Sequence, residues 1–552
     1  MKKKLSVVLL VLALISMCVV ITSCSKKAEP AAAEAPVQTE AAAAPAAETA
    51  TQEVPSAITL KCDPILPKGS GTKIDPWTVA ENGKKGLPAF RTQFTLRDDK
   101  TTSETNVTPE LKAALAEACA DPSFFQTKDG KPKNVIVMIG DGMGVSHLNI
   151  SREYKGELIM DLLPYHAEAM TKCYMPAISE ENLADKTTLT TTDSSAGGTA
   201  ILTGYKTRYD YIGLDRDGNV VPNLSELAKS MGKKIAAVTN DHSGDATPAD
   251  ATVHTLNRDN GDAISIMQLL LEPDLIFGSY GGFESFINAD SFIAGTQKDG
   301  LDSVIVDQMK ADAGEAGGKI TFKEWWASYR DANKSDSDYN AWFERMNFKR
   351  YTSFGDLVAN KDNGDRLIGS WDVTTSMEKT SKAGFRLSNK AYPSFPEMVA
   401  YTLSHMQSIS DENGFFCMIE NTSTDGWGHL DPNAKSKGEF VKAGYIMNEV
   451  QNFDEGVAIA VKFVLENPDT LLVITADHET GTMMTKDGWK DDYSKIKSGG
   501  SGHSGQNVPV IALGVGAEVF ASDTPRENDV TGQLIGRVMG DPTFGNVNGY
   551  KD

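Results

Sequence analysis

The chain has 552 residues, with 54 Lys plus Arg against 75 Asp plus Glu and a formal net charge of −21. So acidic a chain lacks the basic surface that phosphate-backbone contacts need, which excludes a general nucleic-acid binder. Its 40% hydrophobic content supports a large core and excludes wholesale disorder, and six cysteines in this length exclude a disulfide scaffold.

Lys2, Lys3 and Lys4 precede an apolar run over residues 5–21, followed by Ile21-Thr22-Ser23-Cys24. This pattern reads as a secretory signal over residues 1–23, ending in a lipobox whose Cys24 would be lipidated after cleavage. The predicted location is the cell envelope, exported and held to a membrane by the lipid anchor. From 24 to 55 the chain is Ala, Glu, Pro and Thr with almost no large apolar residue, so it reads as a disordered spacer. Residues 56–131 form an N-terminal extension, and the main domain is expected over 132–552. Cys417 lies in an apolar strand and reads as core. A Cys62–Cys119 bridge is left open.

Beyond residue 132, apolar β-branched runs alternate with helical patterns, the signature of an α/β sheet. The first strand, 134–139, leads into Gly140-Asp141-Gly142. Gly140, Gly142 and Gly144 with Asp161 resemble a dinucleotide fingerprint. The third glycine is one position early, however, and Asp141 would set a carboxylate against a pyrophosphate. Residues 190–204 read as a loop entering a short helix. Asp193 or Ser194 caps its start and Gly204 ends it. That places the Ser194 hydroxyl at the positive end of a helix dipole. The strand at 235–239 is followed by Asn240, Asp241, His242 and Asp245. Residues 283–400 look like an insertion, with aromatic stretches at 322–326 and 341–346 that suit packing of a cap, a lid or a dimer contact. The strand at 415–419 runs into Glu420, and the strand at 471–475 into Asp477 and His478.

Four strands thus end in carboxylates. Ligands of open α/β sheets bind outside the carboxyl ends of the strands, so these groups converge on one edge. Bare carboxylates repel one another, and such a cluster implies bound cations. Asp425 and His429, four apart, share a face if the segment turns helically. His503 sits in a Gly-rich loop where no helix or strand dictates it. Mixed imidazole and carboxylate ligands suit zinc, and an all-oxygen set suits magnesium. His147, His166 and His405 are given no role.

These motifs, taken in order along residues 132–520, resemble the alkaline phosphatase family: IGDGMG at 139–144, TDSSA at 192–196, DATP at 245–248, Glu420 with Asp425 and His429, TADH at 475–478, and Gly502-His503. The resemblance implies a three-layer α/β sandwich with a central, mostly parallel sheet flanked by helices, plus an inserted cap. It implies Ser194 as a nucleophile that becomes phosphorylated. Asp425, His429 and His503 would hold one Zn²⁺ that activates the attacking water. Asp141, Asp477 and His478 would hold a second Zn²⁺ that activates Ser194. Asp245, Thr247 and Glu420 would hold Mg²⁺, with Asp141 bridging to it. Arg258, thirteen residues after Asp245, would clamp the phosphate.

Two places depart from the family pattern. Gly426 follows Asp425 where relatives carry Trp, His or Lys, with Trp427 one further on. Gly197 and Gly198 follow the nucleophile segment where Ala and Ser are common. The resemblance implies hydrolysis of small phosphate monoesters, with a homodimer as one arrangement. Within the superfamily the alternatives are a phosphodiesterase or a sulfatase. A sulfatase would want Pro and Arg after its nucleophile, whereas Ser194 is followed by Ser-Ala-Gly. An alternative of another class is a non-catalytic lipoprotein that binds phosphate or metal.

Overall fold

The computed structural model describes residues 107–259, 264, 268, 271–279, 348–351, 354–359, 366–370, 393, 395–429, 438–489 and 495–549. The signal, Cys24, the linker, Cys62 and the two aromatic stretches lie outside these residues. Cys119, Cys173 and Cys417 are free thiols. Among the described residues no helix is long and apolar enough to cross a membrane.

Ten strands make one sheet. In chain order they are β1 (Asn134–Gly140), β2 (Tyr165–Met170), β3 (Lys234–His242), β4 (Leu275–Ser279), β5 (Phe348–Tyr351), β6 (Arg366–Ser370), β7 (Phe415–Asn421), β8 (Thr470–Thr475), β9 (Val508–Gly514) and β10 (Arg526–Glu527). Their spatial order is β10-β2-β9-β8-β1-β7-β3-β4-β6-β5. β8, β1, β7 and β3 are parallel neighbours, as are β4, β6 and β5 beyond them. β9 runs antiparallel to both β8 and β2. Strands β1, β7 and β8 are buried along their whole length. Burial on both faces explains why they read as unbroken apolar runs rather than alternating ones. Two strands from within the 283–400 stretch, β5 and β6, extend the edge of this sheet.

Helices flank the sheet. They include α1 (Pro109–Ala120), α2 (Val145–Lys155), α3 (Ser194–Thr203), α4 (Leu224–Ser230), α5 (Ala246–Asp250), α6 (Phe395–Ile409), α7 (Ser423–Gly428), α8 (Gly438–Glu466) and α9 (Asp529–Met539). α6 packs along α8, and stacked rings of Phe395 and Phe453 lie between them. α3 packs on α9 and α5.

The sheet register sets up the site. Ile139 of β1 is level with Glu420 of β7 and with Thr475 of β8, and Glu420 is level with Thr239 of β3. The four strands that end in carboxylates are therefore consecutive, parallel and in step. Their carboxyl ends open on one edge, as the sequence pattern predicts.

Candidate active site

Glu420 lies near the end of β7, Asp141, Asp477 and His478 follow β1 and β8, Asp245 caps α5, Asp425 lies in the first turn of α7 with His429 at its end, and His503 lies in a two-residue strand with Ser504. Asp141 follows β1, and its N–H donates to Asn421 O at 2.9 Å. Gly142 then turns the chain at φ +69°, with the site where a Cβ would stand only 2.6 Å from the Asp425 Cα. A glycine is needed there for both reasons. That turn sets Asp141 beside Asp425, whose N–H donates to the Asp141 carbonyl at 3.0 Å.

Asp193 is the N-cap of α3. Its side chain accepts from the Ala196 N–H at 3.1 Å, so Ser194 is the first helical residue. Ser194 is buried, and its Oγ lies 3.1 Å from His478 Nε2. His478 Nε2 in turn stands 3.2 Å from Asp477 Oδ2 and 3.4 Å from Asp141 Oδ1. Gly197 and Gly198 let the Asp477 carbonyl and the Asp250 carboxyl lie directly against α3.

The second cluster is more open. α7 delivers Asp425 and His429 from one face, as their spacing predicts, with His429 N–H donating to Asp425 O at 2.9 Å. His429 Nε2, His503 Nε2 and Asp425 Oδ1 form a triangle with sides of 3.1, 3.2 and 3.4 Å. The other ring nitrogens are tied down, His429 Nδ1 to Ser501 O at 2.7 Å and His503 Nδ1 to Thr192 O at 2.8 Å. A carbonyl can only accept, so each Nδ1 carries a proton, which leaves Nε2 as the nitrogen of each ring that could meet a metal.

Among the described residues, two groups of His and carboxylate atoms lie close enough together to hold an ion: Asp425 with His429 and His503, and Asp141 with Asp425 and His478. Asp425 thus faces both sets. In the second group it stands where Asp477 was expected, with Asp477 Oδ2 alongside. Asp245, Thr247 and Glu420 do not form such a group. Even so, Thr247 Oγ1, both Glu420 carboxyl oxygens, Asp141 Oδ1 and Asp477 Oδ2 are all buried without a hydrogen bond of good geometry. Buried oxygens left this way are costly unless a cation meets them, so the donor set fits divalent metals.

The electrostatics agree. Burial, then Asp477 and Asp425, push the Asp141 carboxyl well above the usual range. Burial raises Glu420 likewise, with Asp245 adding to it. Asp477 is pushed up to about 7 by burial and by Asp425. Asp425 goes the other way: burial opposes it, but His429 and His503 hold it well below the usual range. Burial and His503 keep His478 neutral.

Arg258 lies between two of these segments. Its Nη1 is 3.4 Å from Asp193 Oδ2 and its Nη2 is 3.2 Å from Asp245 Oδ1. Burial works against its charge, but Asp245 and Asp193 more than offset that. Trp427 packs into a core cluster with Ile150, Met447 and Trp489.

Several participants were not singled out in the sequence. Thr480 Oγ donates to Asp425 Oδ1 at 2.5 Å and lies 3.1 Å from His478 Nδ1. Asn240 accepts from the Thr422 N–H and donates to Asn421 Oδ1 and Ser423 Oγ, bracing the entry to α7. His147, given no role, is buried 3.1 Å from the Glu479 carboxylate. The TADH motif stops just short of Glu479 and Thr480, and nothing in their residue types marks them.

The alkaline phosphatase family model matches residues 132–491. Alkaline phosphatase 4 of Bacillus subtilis is 26% identical over 350 residues, covering 63% of this chain and 62% of its own. The alkaline phosphatase of Escherichia coli is 25% identical over 438 residues, covering 74% and 85%. The crystal structure of Thermus thermophilus alkaline phosphatase superposes with a TM-score of 0.53 at 18% identity, covering 75% of this chain and 92% of that one, which shows a shared fold. The chain therefore spans about three fifths of the length of the Bacillus relative.

Proposed function

The chain belongs to the alkaline phosphatase family, and from that premise we propose that it hydrolyses small phosphate monoesters through a phosphoserine formed on Ser194. The observation that carries this reading is the Ser194 hydroxyl at the start of α3, 3.1 Å from His478 Nε2 and beside two ligand clusters.

In this reading Asp425, His429 and His503 hold one Zn²⁺, Asp141, Asp477 and His478 hold a second, and Asp245, Thr247 and Glu420 hold Mg²⁺. When bound, the ions supply Lewis-acid stabilisation of the attacking and leaving oxygens. The protein's own groups do the rest. The start of α3 presents free backbone N–H groups and a positive dipole end to the phosphoryl oxygens. Neutral His478 holds an unprotonated Nε2 beside Ser194, the state in which it could ligate the second ion. Arg258, anchored by Asp193 and Asp245, grips phosphate oxygens bidentately. The Ser194 hydroxyl gives up its proton to solvent as its oxygen bonds to phosphorus and the bond to the leaving alkoxide breaks, and the alkoxide takes up a proton from solvent and departs as the alcohol. Water then attacks the same phosphorus, and the bond to the serine oxygen breaks to release inorganic phosphate. The negative overall charge does not oppose an anionic substrate, because Arg258 and the cations reverse the field locally.

The full chain supplied with Zn²⁺ and Mg²⁺ should hydrolyse p-nitrophenyl phosphate at alkaline pH, and Ser194→Ala should lose several orders of magnitude in kcat. An inert wild type would remove the monoesterase reading. A fully active Ser194→Ala would remove the phosphoserine. We also propose that the protein is exported and anchored through Cys24, on the strength of the charged start, the apolar run and the lipobox. Labelling cells with a radioactive fatty acid should mark the wild type and leave Cys24→Ala unmarked.

A further inference from the structure

Glu479 directly follows His478 and touches neither ligand cluster. It lies in a two-residue strand paired with His503–Ser504, so that Glu479 faces Ser504 and Thr480 faces His503. Its side chain is fully buried. Oε1 stands 3.1 Å from both Ser146 Oγ and His147 Nε2, while Oε2 accepts from Thr482 Oγ at 3.0 Å and from Ser504 Oγ. Three hydroxyl donors and the close His147 ring surround one carboxylate, so its orientation is set from both sides. The donors come from different segments. Ser146 and His147 open α2, directly after the loop that bears Asp141. Ser504 is the neighbour of His503. The fit is close: a Cβ at Gly144 would fall 2.0 Å from Glu479 Cγ.

We propose that Glu479 is a positioning residue that sets the spacing of Asp141, His478 and His503, so that zinc affinity depends on a carboxylate that binds no zinc. This rests on the metal-holding reading of the two clusters. Outer hydrogen-bond partners orient ligands, and their loss typically weakens metal binding about 10–100-fold. Glu479→Gln keeps the shape but turns one acceptor into a donor facing donors. Ser504→Ala removes a single contact at the His503 side and leaves the buried pair with His147 intact.

The test is chelator competition for Zn²⁺ on the full chain. It is run well below the metal-free melting temperature of every variant, so that the folded fraction is complete and overall stability does not enter. Glu479→Gln should give up zinc at a chelator concentration about 10–100-fold lower than wild type, and Ser504→Ala should shift the same way by less. Wild-type zinc retention in both variants would overturn the inference, as would a shift in Glu479→Gln with none in Ser504→Ala. A wild type that binds no zinc would instead remove the metal reading beneath it.

Discussion

The Thr480 hydroxyl donates to Asp425 at 2.5 Å while lying 3.1 Å from His478 Nδ1. A hydroxyl has one proton, and here Asp425 takes it. His478 Nδ1 must then be the donor to Thr480, which leaves Nε2 unprotonated toward Ser194 and Asp141. One hydroxyl therefore selects the tautomer of one ligand and orients another. Thr480→Val keeps the shape and removes this link. We expect zinc binding to weaken about 10–100-fold, with kcat falling at limiting zinc and recovering in part when zinc is raised. Chelator titration and activity against added zinc check this, and unchanged zinc affinity would show the link to be incidental.

Asp193 caps α3 and meets Arg258 through different oxygens, Oδ2 also accepting from Ser195 Oγ and the Asp210 N–H. Oδ1 caps α3 through the Ala196 N–H, and Oδ2 faces Arg258 at 3.4 Å. Asp193→Asn keeps the cap but can set an amide against the guanidinium. Asp193→Ala loses both and should also cost about 1 kcal/mol of stability. We expect KM for a monoester to rise about tenfold in Asp193→Asn, equivalent to about 1.4 kcal/mol, with the melting temperature nearly unchanged. An unaltered KM would mean that Arg258 does not depend on this anchor.

Gly142 is the tightest point between Asp141 and Asp425. Alanine would have to adopt φ +69° and would place its Cβ 2.6 Å from the Asp425 backbone. The left-handed conformation costs about 1 kcal/mol and the overlap about 1–3 more. Thermal unfolding of Gly142→Ala should show a loss of several degrees, with zinc binding weakened as Asp141 and Asp425 are forced apart. A wild-type melting curve would contradict the geometry.

The buried carboxyls give the metal-free protein a signed pH dependence. Asp477 is raised to about 7, and Asp141 and Glu420 are raised as well. A carboxyl whose folded pKa is raised holds its proton more tightly when folded. Its contribution therefore favours the fold at low pH and is lost as pH rises from about 4, the unfolded value, toward the folded one. Cations replace those protons, so binding should strengthen as pH rises. The increase in melting temperature on adding Zn²⁺ and Mg²⁺ should be larger at pH 8 than at pH 5. An equal or larger increase at pH 5 would argue that these carboxyls do not meet the ions.

Much of this was legible in the residues. The apolar runs at 134–139, 415–419 and 471–475 became buried strands, and Asp193 and Gly204 bound α3 as their types suggest. The four-residue spacing of Asp425 and His429 became one face of α7. Thr480, Glu479, Asp193 as an arginine anchor and Asn240 were not legible. Nothing local marks a threonine or a glutamate as the partner of a residue 55 or 333 positions away.

By itself, then, the sequence determined the four central strands, the helix that carries Ser194 and the acids and imidazoles that follow those strands. Those properties depend on torsional preference, burial periodicity and capping within a few neighbouring residues. Tertiary structure alone decided that Asp425 faces both ligand clusters, that Trp427 turns into the core, and that Glu479 gathers hydroxyls from three segments. Those outcomes depend on strand order and register. The placement of β1 between β8 and β7 brings together residues from opposite ends of the domain. No local rule encodes that adjacency, because it is the packing of the whole sheet that selects it.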